Sequence, residues 1–180
     1  MRGFWAFRCR CNFEEVNLRF YVTRQTGNET RRGVVFVKEI VPRYAIAAVA
    51  RIFYEEPYEA WNMGHERTDS TVVYSWKKGG NSNKVSVEIG ENLGVPAADS
   101  HGEFIIEHYW GYTKRKGGRT DEYKVEHPKW ELFSVENSII NVDFANSYGE
   151  RFAFLKDQKP YSILLAKGSE IAVYKGEKII

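Results

Sequence analysis

The chain has 180 residues, 43% of them hydrophobic and 28% charged, enough for one packed domain. Its 26 basic residues nearly balance 24 acidic ones, so composition gives no reason to expect a nucleic-acid or membrane partner. Aromatics reach 15%, a load that suits sheets, and no apolar run approaches the ~20 residues that span a bilayer.

In chain order, the charged, short apolar start lacks the h-region of a signal peptide, so the cytoplasm is the expected compartment. Cys9 and Cys11 are too few for a disulfide framework or a structural zinc site, and two free thiols are expected. Val16, Leu18, Phe20 and Val22 alternate with Asn17, Arg19, Tyr21 and Thr23, which predicts a strand with one polar face. Gly27 and Asn28 mark a turn, and the nearly all-apolar stretch 33–40 predicts a central strand ended by Pro42. Ile46, Val49, Ala50 and Phe53 then fall at helical spacing, predicting a helix over 43–54 packed on the sheet.

Strands 71–76 and 84–89 flank Gly79-Gly80, a hairpin signature. Ser100 followed by Glu103 fits a capping box before a second helix. Strands are expected at Tyr112, 123–126, 130–135 and 139–142. Phe144, Tyr148 and Phe152 suggest a third helix, and a closing strand pair is expected at 161–166 and 170–174. The sum is a β-rich α+β domain over residues 12–180, barrel-like and mostly antiparallel, with about three short flanking helices.

The stretches 13–22 (FEEVNLRFYV), 32–42 (RGVVFVKEIVP), 104–113 (FIIEHYWGYT) and 125–130 (VEHPKW) resemble the YqjF-like proteins, domain of unknown function 2071. That family is grouped with the acetoacetate decarboxylase superfamily. The resemblance implies a barrel-like domain around a cavity of small-molecule size. Family members carry several tens of residues before the segment equivalent to Asn12, whereas residues 1–11 here look atypical, so the chain is expected to be shortened at its N-terminus.

The decarboxylases use a lysine kept neutral by an apolar pocket. The stretch that matches their reactive strand, 84–90, offers only Lys84 at its start, and Lys77-Lys78 falls beside a hairpin tip in water. The catalytic lysine is therefore not carried over. Lys38 lies within an apolar strand, where burial would make it nucleophilic or an ion pair would hold it, and it is expected to face the side of Phe36 and Ile40. Glu15, Asn17, Arg19 and Tyr21 share the polar face of the first strand, where Arg19 could clamp a carboxylate or phosphate. Glu107 is a further orienting candidate, and His127 a proton carrier.

His65, His101, His108 and His127 are scattered, and no metal or cofactor is expected. No P-loop, Gly-x-Ser-x-Gly or dinucleotide fingerprint is present. Residues 32–39 partly match the RNA-recognition strand motif, but Val34 and Glu39 replace two of its aromatics. The leading reading is a small-molecule-binding domain for an anionic or carbonyl-bearing ligand. The alternatives are a lyase-like enzyme acting on a small keto acid, with Lys38 or His127 transferring protons, and a remnant without independent activity.

Overall fold

Two open sheets stand back to back on an aromatic core, as seen in a computed structural model that describes residues 6–7 and 13–179. Most of segment 1–11, expected to be atypical, lies outside the described residues, with Cys9 and Cys11. The polar–apolar alternation from Val16 produces β2 (Val16–Thr26), and the turn at Gly27 (φ 58°) returns the chain as β3 (Glu29–Val41). β3 is central, as its apolar composition predicts. It pairs antiparallel with β2 and, on its other edge, parallel with β4 (Tyr58–Ala60) and β8 (Trp110–Lys114). β9 (Thr120–Glu126) extends the sheet to β12 (Ala172–Tyr174), and β1 (Ala6–Phe7) pairs with β12 at the far edge.

The second sheet runs β5 (Asn62–Arg67), β6 (Thr71–Lys78), β7 (Asn81–Gly94), β10 (Leu132–Asn141) and β11 (Leu165–Ala166). β6 and β7 form the hairpin announced by Gly79 and Gly80, both at positive φ, with Lys78 opposite Asn81. The two strands expected over 130–142 are one bulged strand, β10.

No closed barrel forms among the described residues, because the outer edges of β2 and β5 are left unpaired instead of meeting. The expected closing hairpin is also absent. β11 joins β10, whereas β12 and β13 (Glu177–Lys178) join β9, so the two final segments serve different sheets. Strand patterning reports which face of a strand is apolar; it carries no record of the partner.

Ile40, Trp61, Trp76, Val142 and Tyr148 form the buried cluster between the sheets, with Val16, Leu18 and Met63 packed against it. Ile40 is fully buried, and burying such a side chain stabilises by about 1.5–3 kcal/mol. The helix predicted over 43–54 is α1 (Tyr44–Val49), continued by a π-helical turn at Ala50–Tyr54. Its expected buried face is not buried: Val49 and Phe53 are exposed, and only Ala47 is enclosed. The short helix packs on β4 and β3, and Phe53, in the π turn, is left in solvent.

α2 (His101–Ile106) starts at Ser100, whose Oγ accepts from the Glu103 amide at 3.1 Å. Glu103 pairs with Arg32 at 3.3 Å. α3 (Phe144–Tyr148) stops at Gly149 (φ 101°), where a 3-10 segment takes over. No helix among the described residues is long and apolar enough to cross a membrane.

Candidate functional site

A β-bulge in β3 decides which side chains meet. Val16 pairs with Ile40, Asn17 with Glu39 and Leu18 with Lys38, but Arg19 then pairs with Phe36, so Val37 is the extra residue. Side chains of paired residues share a face, and successive residues alternate. Val16, Leu18, Lys38 and Ile40 therefore point to the aromatic core. Glu15, Asn17, Arg19, Tyr21, Phe36 and Glu39 point to the opposite face. The expectation that Lys38 and Phe36 share a side is corrected by the bulge.

Other strands add to that opposite face. Tyr58 of β4 is in register with Glu39 and hydrogen-bonds its carboxyl. Gly111 of β8 is in register with Val34 and with Tyr123 of β9. The missing side chain at Gly111 makes room for the Tyr123 ring, since a Cβ there would lie 2.1 Å from Tyr123 Cζ. Glu56 enters where β3 and β8 diverge and accepts from the Thr113 hydroxyl. At the other end His108 stacks on Tyr21 with centroids 4.5 Å apart, and Phe104 meets both rings.

Three carboxyls thus gather on one face. Glu39 is buried, its Oε2 has no partner among the described residues, and burial together with Glu15 and Glu56 pushes its pKa well above the carboxylate range. Burial also raises Glu56, against the hydrogen bond from Thr113 and the charge of Arg115. Glu15 is an exposed residue whose carboxyl is crowded by protein; this desolvation raises its pKa against the pull of Asn17, 3.0 Å away, and of Arg19. All three are biased toward the neutral acid, a form that donates a hydrogen bond.

Arg19 is the cation among them. Its guanidinium lies 5.6 Å from the Tyr21 ring and makes no ion pair among the described residues. Burial, with the charges of Arg19 and Arg32, depresses His108 to about 4, so the imidazole is neutral near pH 7. The face therefore has a cationic end near Arg19 and Arg32 and a proton-donating end near Glu39.

The remaining candidates lie apart. Lys38 is on the core side, 2.9 Å from Glu59 and 5.9 Å from the Trp61 ring. Glu107 is buried and accepts from the Tyr109 hydroxyl, which burial and Glu107 push up to about 12. Tyr109 stacks on His127, which stacks in turn on Trp130 at 4.1 Å and places Nδ1 2.9 Å from the Pro128 carbonyl. The strand alternation brings Glu15, Asn17, Arg19 and Tyr21 to one face. It offers Glu39 only as an internal partner of that face and does not reach Glu56, Tyr58, Tyr123 or His108; the one available signal was a charged pair, Lys38-Glu39, inside a central apolar strand. Among the described residues no group of three or more His, Cys, Asp or Glu side chains is placed to hold a metal ion.

Residues 1–170 match DUF2071, a family described as an uncharacterized conserved protein. The chain belongs to this family. Its fold is similar to that of a solved acetoacetate decarboxylase, with a TM-score of 0.51 at 11% identity, covering 88% of this chain and 66% of the other. The DUF2071 chain thus spans just under two thirds of that structure's length. Acetoacetate decarboxylase from Legionella pneumophila subsp. pneumophila gives a TM-score of 0.48 at 9% identity, covering 92% of this chain and 69% of that one. No curated protein matches. At 11% identity, the first of these likenesses establishes a shared α+β, strand-rich fold for this DUF2071 domain.

Proposed function

We propose that the polar face built by β2, β3, β4 and β9 binds a small organic molecule carrying a carboxylate and a carbonyl or hydroxyl oxygen. Arg19, a guanidinium with no ion pair among the described residues and beside carboxyls biased toward neutrality, supports this reading above all else. A ligand carboxylate would take two parallel hydrogen bonds from Arg19. A second oxygen, a few ångströms away, would accept from protonated Glu39 or from Tyr123. Asn17 and Tyr21 would orient the ligand from the same strand.

The test is a thermal melt with pyruvate, acetate and acetone as probes, because only pyruvate carries both groups. Binding stabilises by RT ln(1 + [L]/Kd), about 2.7 kcal/mol at a hundredfold excess over Kd. Pyruvate should raise the melting temperature more than either fragment, and Arg19→Lys should remove most of the rise, since a point charge loses the planar geometry. An equal response in wild type and Arg19→Lys would refute the assignment.

Turnover of the bound molecule is the second reading, favoured by the buried Glu39 carboxyl, which is placed to give up and recover a proton. In that reading Glu39, rather than Lys38 or His127, is the proton carrier. Lys38 faces the core and His127 is held in an aromatic stack.

A further inference from the structure

On the other side of the β3–β4 edge, a cleft of about 520 Å³ opens between α1, β4 and the end of β6, a size typical of small-ligand sites. Lys38, Arg51 and Lys78 line it with Tyr44 and Glu59. Glu59 is anchored by three donors: Lys38 Nζ at 2.9 Å, Lys78 Nζ at 2.8 Å and Trp61 Nε1 at 2.8 Å. These bonds overcome the partial burial of Glu59 and bring its pKa down to about 2, so it stays ionised. The Trp61 face lies 5.9 Å and 5.0 Å from the two ammoniums and holds them over one spot.

Charge and donor counts leave this cleft unsatisfied. One carboxylate bridges two ammoniums, and each ammonium has three N–H donors. Arg51, on the helical wall, makes no side-chain hydrogen bond or ion pair among the described residues. Glu56, also at the rim, is biased toward the neutral form by burial and is bonded to Thr113. Three fixed cations thus face one ionised carboxylate across a cleft that opens to solvent.

We infer that this cleft is an anion site for a phosphate-type dianion, bridging the Lys38 and Lys78 ammoniums opposite Glu59 and held from the helix by Arg51. The cleft shares Glu56 and Tyr58 with the rim of the polar face, but its cations are distinct from Arg19, because Lys38 and Arg19 lie on opposite sides of the sheet. Tyr44, 82% exposed at the mouth, offers a ring and a hydroxyl to whatever carries the phosphate.

The experiment titrates inorganic phosphate into the whole chain at constant ionic strength, with chloride as control, reading the thermal midpoint and tryptophan fluorescence. A saturable rise is expected with phosphate and not with chloride. Arg51→Ala and Lys78→Ala, both at exposed positions, should each weaken binding by roughly tenfold, the loss of one charge-assisted contact. Glu59→Gln removes the competing anion and should tighten it, whereas Arg19→Lys should leave the titration unchanged.

Vesicles containing phosphatidic acid form the second arm. Binding to them but not to free phosphate, lost in the same variants, assigns the site to a lipid headgroup. No response in either arm overturns the inference. So does binding that survives Arg51→Ala and Lys78→Ala, and loss on Arg19→Lys alone moves the phosphate to the other face.

Discussion

Gly111→Ala is the substitution that most directly tests how the polar face is built. The added Cβ would sit 2.1 Å from Tyr123 Cζ and 2.4 Å from both Cε2 and the hydroxyl oxygen. Ordinary contact starts at 3.4 Å, so the ring must retreat by about 1.3 Å (3.4 minus 2.1) or the strands must part. Gly111 is buried in the middle of the sheet, and overpacking of this kind costs about 1–3 kcal/mol. For a chain of 150–250 residues, each kcal/mol moves the midpoint by about 2–4 °C, so a drop of about 2–12 °C is expected.

The assay is a melt followed by near-UV circular dichroism. A double-mutant cycle with Tyr123→Ala isolates the clash, because removing the ring removes the obstacle. The double variant should be more stable than the sum of the single effects predicts, by at least about 0.5 kcal/mol. Strict additivity, or a Gly111→Ala midpoint within about 1 °C of wild type, would refute the placement of Tyr123 over β8.

Two pH effects follow from the same face. His108 is depressed from 6.5 to about 4, so the unfolded chain binds the extra proton between those values; its contribution is complete above about pH 6.5 and is lost as pH falls toward 4. His108 is buried, and the full shift corresponds to about 3–4 kcal/mol at most; His108→Gln should flatten this part of the urea-denaturation profile. Glu39 is raised, so the folded state holds its proton more tightly, and stability is present below the ordinary carboxylate pKa and lost as pH rises through the folded value. Glu39→Gln should therefore be more stable than wild type at pH 8, with the difference shrinking at pH 4; a variant weaker at both pH values would contradict the raised pKa.

Much of the fold was legible because its signals are local. Alternation gave β2, the Gly27 and Gly79-Gly80 turns gave two hairpins, and Ser100 gave the start of α2. The polar face of β2 was legible for the same reason, since period-two alternation places Glu15, Asn17, Arg19 and Tyr21 together whatever the partner strand. The rest depends on pairing and register. The bulge at Val37 has no sequence mark, yet it separates Phe36 from Lys38 and sets Glu39 beside Asn17. The apolar spacing of Val49 and Phe53 predicted a buried helix face, but the π turn after Val49 breaks that periodicity. Tyr58 and Tyr123 reach the site through register with Glu39 and Gly111, a long-range property that residue types alone do not encode.

The separate destinations of β11 and of β12 with β13 bear on biosynthesis. Until residue 166 has left the ribosome, the outer edge of β10 has no partner, and until residue 174 has, neither does that of β9. Both sheets thus present a naked edge through most of translation, the condition that favours wrong pairing between nascent chains. Lys124 and Glu126 on β9, with Glu131 and Glu136 at β10, put charge along those edges during that interval. The last short strands contribute little core, but they cover the edges of β10 and β9, so that β2 and β5 carry the long open edges that remain among the described residues.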